Sequence, residues 1–98
     1  MTRDFFERQA AILSSAISDF EENRISLGAL VHRIEEVTAV VDQQGFREQL
    51  IETIIVLEEL NAARLAGKAL SMRDEEMIRS GVKQVRAAIA DLLMASYG

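Results

Sequence analysis

Apolar residues recur at three- and four-residue steps along most of this chain, and those steps predict four helices and no strand. The first helix is expected from about Asp4 to Glu22. Phe6, Ala10, Leu13, Ala16, Ile17 and Phe20 share one face of it, while Ser14, Ser15, Ser18 and Asp19 fall mainly on the other. Asn23 and Arg24 form a short break. The second helix opens at Ser26, whose hydroxyl suits an otherwise unpaired amide of the first turn. Ile25 before the cap and Leu30 after it have the spacing of a hydrophobic staple. Leu27, Leu30, Val31, Ile34, Val37 and Val41 make its stripe, and the helix is expected to end near Asp42, before the polar turn Asp42-Gln43-Gln44-Gly45.

The third helix is predicted from about Phe46 to Leu65. Between Ile54 and Leu57 it is apolar almost all round, which predicts a central place in the bundle. Gly67 can supply the left-handed residue that ends it. The fourth helix is expected to start at Ser71, with Asp74, Glu75 and Glu76 in its first turns, where negative charge suits the helix dipole. Ile78, Val82, Val85, Ile89 and Leu92 form its stripe. Gly81 interrupts that helix at a cost of ~1 kcal/mol in propensity relative to alanine. Close approach of a neighbouring helix and tolerated imperfection both account for it. Short connections favour opposed neighbours, so the expected fold is all-α: a compact antiparallel bundle of four helices, one domain over residues 1–98. Phe6, Leu13, Phe20, Leu30, Ile34, Ile54, Leu57, Val82, Val85 and Ile89 are the expected core.

Composition narrows the function. The chain has 98 residues, 49% hydrophobic, enough for a single core. No apolar run approaches the ~18 residues that span a bilayer, and Met1-Thr2-Arg3-Asp4 lacks the layout of a signal peptide, so a cytoplasmic protein is expected. With no cysteine there are no disulfides, thiolate nucleophiles or zinc–sulfur sites. Sixteen acidic against eleven basic residues give a net charge of −5. That balance disfavours direct contact with nucleic acid or an anionic membrane and favours a basic partner.

The residues offer little chemistry. His32 is the one histidine, so the second Glu-x-x-His pair of a di-metal bundle is missing, and a surface place on the second helix is expected for it. The five glycines are scattered and form no phosphate loop. The serines have no triad partners. Arg33, Arg47 and Arg64 are spread among acids, which does not match the converging cations of a small helical chorismate mutase. No catalytic residue, metal or cofactor is expected.

What remains is acid. Most of the carboxylates suit solvated helix faces. Asp19, Glu21 and Glu22, however, crowd the C-terminal end of a helix, where negative charge opposes the dipole. Glu58 and Glu59 adjoin the most apolar stretch of the third helix. Acidic groups kept against local preference point to a partner.

The order of these features resembles a known family. Phe20-Glu21-Glu22-Asn23-Arg24-Ile25-Ser26-Leu27-Gly28-Ala29-Leu30-Val31-His32-Arg33-Ile34-Glu35 resembles the polar turn and Ile-Ser-Leu opening of small helical immunity proteins. These accompany toxins of bacterial contact-dependent growth inhibition and related polymorphic toxin systems. Leu57-Glu58-Glu59-Leu60-Asn61-Ala62 is similar to the family's Glu-Glu segment, and Arg64 to Ile78, with its Ser71 cap, to the last loop and helix. Family members often carry tryptophans before the Glu-Glu pair, where this chain has Ile55 and Val56. The resemblance covers about Phe20 to Leu93.

The resemblance implies an immunity protein that binds and neutralises a cognate toxin domain, often a nuclease, in the producing cell. An acidic helical surface suits the basic site of an enzyme that holds phosphates. The expected contact residues are Asp19, Glu21, Glu22, Glu35, Glu36 and Glu52, polar positions beside buried stripes. Glu58 and Glu59 adjoin the core candidates Leu57 and Leu60 and are set apart as anchors of the loop before the fourth helix. The alternative is a helical adaptor or regulatory subunit unrelated to toxins. Genomic position separates the two, since an immunity gene directly follows a large secreted toxin gene.

Overall fold

The computed structural model describes residues 3–43 and 45–97. Gln44, part of the polar turn expected at Asp42 to Gly45, lies outside them, as do Met1, Thr2 and Gly98. Four helices follow in order: α1 (Arg3–Glu21), α2 (Leu27–Val40), α3 (Phe46–Leu65) and α4 (Met72–Tyr97).

The ends of these helices follow local chemistry. Asn23 adopts φ 62° after α1, and Gly67 adopts φ 83° after α3. Each sits in a Schellman motif. At the first, Arg24 N–H donates to Asp19 C=O and Asn23 N–H to Phe20 C=O; at the second, Lys68 N–H donates to Ala63 C=O and Gly67 N–H to Arg64 C=O. Ser26 caps α2, its Oγ accepting from Ala29 N–H at 3.1 Å. Ser71 and Asp74 cap α4 reciprocally: Asp74 N–H donates to Ser71 Oγ at 3.1 Å and Ser71 N–H to Asp74 Oδ2 at 3.0 Å.

The helices pack as a bundle in a ring. α1 lies against α2 and α4, and α3 lies against the same two, while the diagonal pairs make no close backbone approach among the described residues. Leu13, Ile17, Leu30, Ile34, Leu50, Leu57, Val85 and Leu92 fill the interior. Cross-helix neighbours fix the register: Leu57 of α3 lies against Gly81 of α4, and Gln49 donates to Asp91 at 3.2 Å. Of the expected core, Phe20 and Ile54 are only partly buried; the other eight are buried.

Close approach accounts for Gly81. A β-carbon there would stand 3.1 Å from Leu57 Cδ2 and 3.5 Å from Thr53 Cγ2, so the Leu57 side chain would have to give way by a few tenths of an ångström.

One expectation fails. α3 is not central: it borders two helices, and its apolar run from Ile54 to Leu57 is not buried all round. Only Leu57 is fully enclosed, Ile54 and Val56 are half-buried, and Ile55 is 49% exposed. In a ring of four, every helix keeps an outer face, and no further layer covers that of α3.

Candidate functional site

The acids at the end of α1 are engaged within the chain. Arg24 Nη1 lies 3.3 Å from Asp19 Oδ1 and 2.6 Å from Glu22 Oε2. Arg86 of α4 grips Glu21 with both guanidinium nitrogens, Nη2 donating to Oε1 at 2.7 Å and Nη1 to Oε2 at 3.0 Å. These bonds hold the Glu21 carboxyl below the usual carboxylate range, against a smaller opposing effect of burial. The Schellman turn delivers Arg24 beside Asp19, and the α1/α4 packing delivers Arg86 beside Glu21. The cationic partners therefore offset the unfavourable dipole at this helix end.

The other expected contact residues scatter. Glu36 lies 3.4 Å from His32 Nε2 and 3.6 Å from Arg33 Nη1, all on the exposed side of α2. Glu52 faces the groove between α3 and α4, beside Val56, Met77 and Gly81. Asp19 lines a groove between α1 and α2 with Ile12 and Arg33. The six expected contact residues are thus not brought together on one surface. Nor are three arginines: Arg33 lines the α1/α2 groove, Arg47 the α2/α3 groove, and Arg64 sits in the last turn of α3.

Glu35 is different. It faces Glu58 across the seam between α2 and α3, and the two carboxyl groups act on each other. Partial burial pushes the Glu35 carboxyl up. The hydrogen bond and charge of Glu58 push it further, and the nearby His32 pulls it slightly back. Among the described residues no lysine or arginine stands within ion-pair distance of either group. Glu58 therefore faces α2, and the loop before α4 is held by its own backbone bonds and the Ser71 cap. The anchoring role expected for Glu58 and Glu59 is not observed.

Beside this pair runs an apolar groove lined by Thr38, Ala39, Ile51, Ile54 and Ile55, with Arg47 at its far end. Ile51 is 45% and Ile55 49% exposed. Arg47 is tied down there, donating to Thr38 C=O at 3.2 Å. The packing that creates the seam is tight: a β-carbon on Gly28 would come within 3.1 Å of Asn61 Nδ2. Ile51, Ile55, Glu58, Ala62 and Leu65 follow one another at steps of four and three, one outward stripe of α3, and Leu65 is 81% exposed. Glu48, Glu52 and Glu59 flank that stripe without a lysine or arginine in ion-pair range among the described residues.

A second groove, between α1 and α4, has the opposite character. Phe20, Ile78 and Val82 contribute apolar surface to it, while Arg79, Lys83 and Arg86 supply positive charge. Arg86 is already committed to Glu21.

No protein-family model matches the chain, and comparison with curated proteins and with solved structures yields no match. Two further observations bear on chemistry and place. Among the described residues no group of three or more histidine and acidic side chains is arranged to hold a metal ion. Among the described residues no helix is long and apolar enough to cross a membrane.

Reasoning from the sequence missed Glu58, Ile51 and Ile55 as site residues. The signal was present as a second stripe on α3, out of phase with the buried Phe46, Leu50, Leu57 and Leu60.

Proposed function

We propose that this chain is a protein-binding bundle that captures a basic partner, in the manner of an immunity protein bound to its cognate toxin domain. The observation that carries the reading is the α2/α3 face. Two carboxylates meet there without an arginine or lysine of the chain beside them, next to isoleucines left half open to solvent. Like charges held together are unfavourable alone and become favourable when a cation joins them. Exposed apolar surface rimmed by charge is the usual composition of a protein contact. Of the three segments that resemble the immunity family, two, Phe20 to Glu35 and Leu57 to Ala62, contribute to the two sides of this seam, where Gly28 adjoins Asn61 and Glu35 adjoins Glu58.

On this reading the protein works in the cytoplasm of the producing cell, needs no cofactor and turns over no substrate. It touches neither nucleic acid nor membrane directly. Its charge speeds capture of the toxin domain, and the apolar contacts slow release. A nuclease is the favoured toxin class, because a site that holds phosphates must be basic.

The test is co-expression with the C-terminal domain of the protein encoded immediately upstream. The expected result is a stable complex in which the toxic activity is suppressed. If the neighbouring product carries no toxin domain, or the two fail to associate, the immunity reading is lost and the adaptor reading takes its place.

A further inference from the structure

The α2/α3 face has a polarity that selects its occupant. Glu35 and Glu58 hold negative charge toward one end, Ile51, Ile54 and Ile55 form the apolar middle, and Arg47 holds positive charge at the other end. Arg47 and Glu58 are eleven residues apart on one helix, about 16 Å at 1.5 Å per residue. From this arrangement we infer that the face docks an amphipathic helix of a partner protein, with one arginine of that helix seated between Glu35 and Glu58 and its apolar side chains on Ile51 and Ile55. The inference rests on the reading of the chain as a protein-binding module and names the segment it takes.

The chemistry and the shape of the face favour this occupant. A guanidinium has a planar fork of donors that can serve two carboxylates at once, which a compact ammonium does less well. Its seating removes the repulsion that the fold leaves in place. The groove between α2 and α3, with isoleucines one turn apart at 51 and 55, matches the side-chain spacing of a third helix laid into it. Arg47 then sets direction, because it repels a second cation from the opposite end.

A second copy of this chain fits less well. Pairing two α3 helices brings Glu48, Glu52, Glu58 and Glu59 of each toward those of the other, with Arg47 of each copy as the cation lining that face. An apolar helix with a single arginine at the Glu35 and Glu58 end brings no carboxylate toward these acids and no second cation toward Arg47.

The experiment uses the whole isotope-labelled chain and a synthetic amphipathic helix of leucine and alanine with one central arginine, alongside the same peptide with glutamine in its place. Amide shifts are followed during titration. The expected perturbations centre on Glu35, Ala39, Ile51, Ile55 and Glu58, and the arginine peptide binds roughly 10-fold tighter than the glutamine peptide, the range of one charge-assisted pair. Glu35→Gln with Glu58→Gln abolishes that preference while leaving the spectrum of the free protein folded. Ile55→Ser weakens both peptides alike. The inference is overturned by perturbations centred on Asp19 to Glu22 or on the α1/α4 groove, by equal affinity for the two peptides, or by no saturable binding. Broadening of the same resonances with protein concentration alone overturns it too, and assigns the face to a second copy. All these results are independent of whether the upstream gene product binds, so failure of the docking inference and failure of the immunity reading are told apart.

Discussion

Two acidic regions of this molecule look alike in sequence and differ in the fold. At the end of α1, Asp19, Glu21 and Glu22 are each matched by an arginine, one from the following turn and one from α4. At the α2/α3 seam, Glu35 and Glu58 are matched only with each other. The first region is electrostatically closed by cations of the chain itself; the second is not. Counting charges along a chain measures neither condition, because an arginine 65 residues away decides the state of Glu21.

The largest effect expected is on the rigidity of the seam. Leu57 is fully enclosed on the inner face of α3, and Leu57→Ala should cost ~2–5 kcal/mol in denaturant unfolding. Ile55→Ala, two residues earlier and half exposed on the outer side of the helix, should stay within about 0.5 kcal/mol. Equal costs would mean that Ile55 belongs to the core and would close the open face.

Charge reversal should then have opposite signs in the two regions. Glu58→Lys places a cation beside Glu35 and should raise stability. Glu21→Lys breaks the Arg86 fork and sets two cations together, and should lower it. Each change is on the order of 0.2–1 kcal/mol, as for exposed pairs. Thermal melts of both variants at low salt read the sign directly, and the same sign in both would erase the distinction between the regions.

Smaller still is the dependence on pH. Glu21, with its carboxyl held low by Arg86, contributes stability that is present above the ordinary glutamate range and lost as pH falls through its lowered value. Glu35, with its carboxyl held high by burial and by Glu58, carries a penalty that is present above its raised value and relieved as pH falls through it. Glu58→Gln should therefore stabilise the protein at neutral pH, and the advantage should close as Glu35 of the parent protonates. Carboxyl-detected NMR should show Glu21 titrating below the ordinary range and Glu35 above it. In Glu58→Gln, Glu35 should keep only the part of its shift due to burial; an unchanged titration would remove Glu58 from the seam.

Much of this fold is legible from the residues. Apart from the partly buried Phe20, the stripes of α1, α2 and α4 name buried positions correctly, because each helix has one apolar face and one polar face. Ser26, Ser71 and Gly67 mark helix ends because capping is local chemistry. α3 misleads because its apolar residues form two stripes, and periodicity alone does not say which one faces inward. Phe46, Leu50, Leu57 and Leu60 do, while Ile51 and Ile55 do not. The candidate site was legible only in part. Glu35 stands where an open acid is found, but its companion Glu58 comes from α3, and no spacing within α2 reveals it. The acids of α1 drew attention through their conflict with the helix dipole, and that conflict is settled by Arg24 and Arg86, whose positions depend on the fold.

The most direct test of the account compares the two acidic regions in one binding measurement. With the partner proposed above, the C-terminal domain encoded by the upstream gene, association and dissociation rates are measured for the parent chain, for Glu35→Gln with Glu58→Gln, and for Glu21→Gln with Glu22→Gln. The account predicts that the seam variant loses roughly 10-fold or more in affinity, chiefly through faster dissociation, and that the α1 variant changes by less than about 3-fold. Loss confined to the Glu21 and Glu22 variant, with the seam variant binding as tightly as the parent, would contradict it.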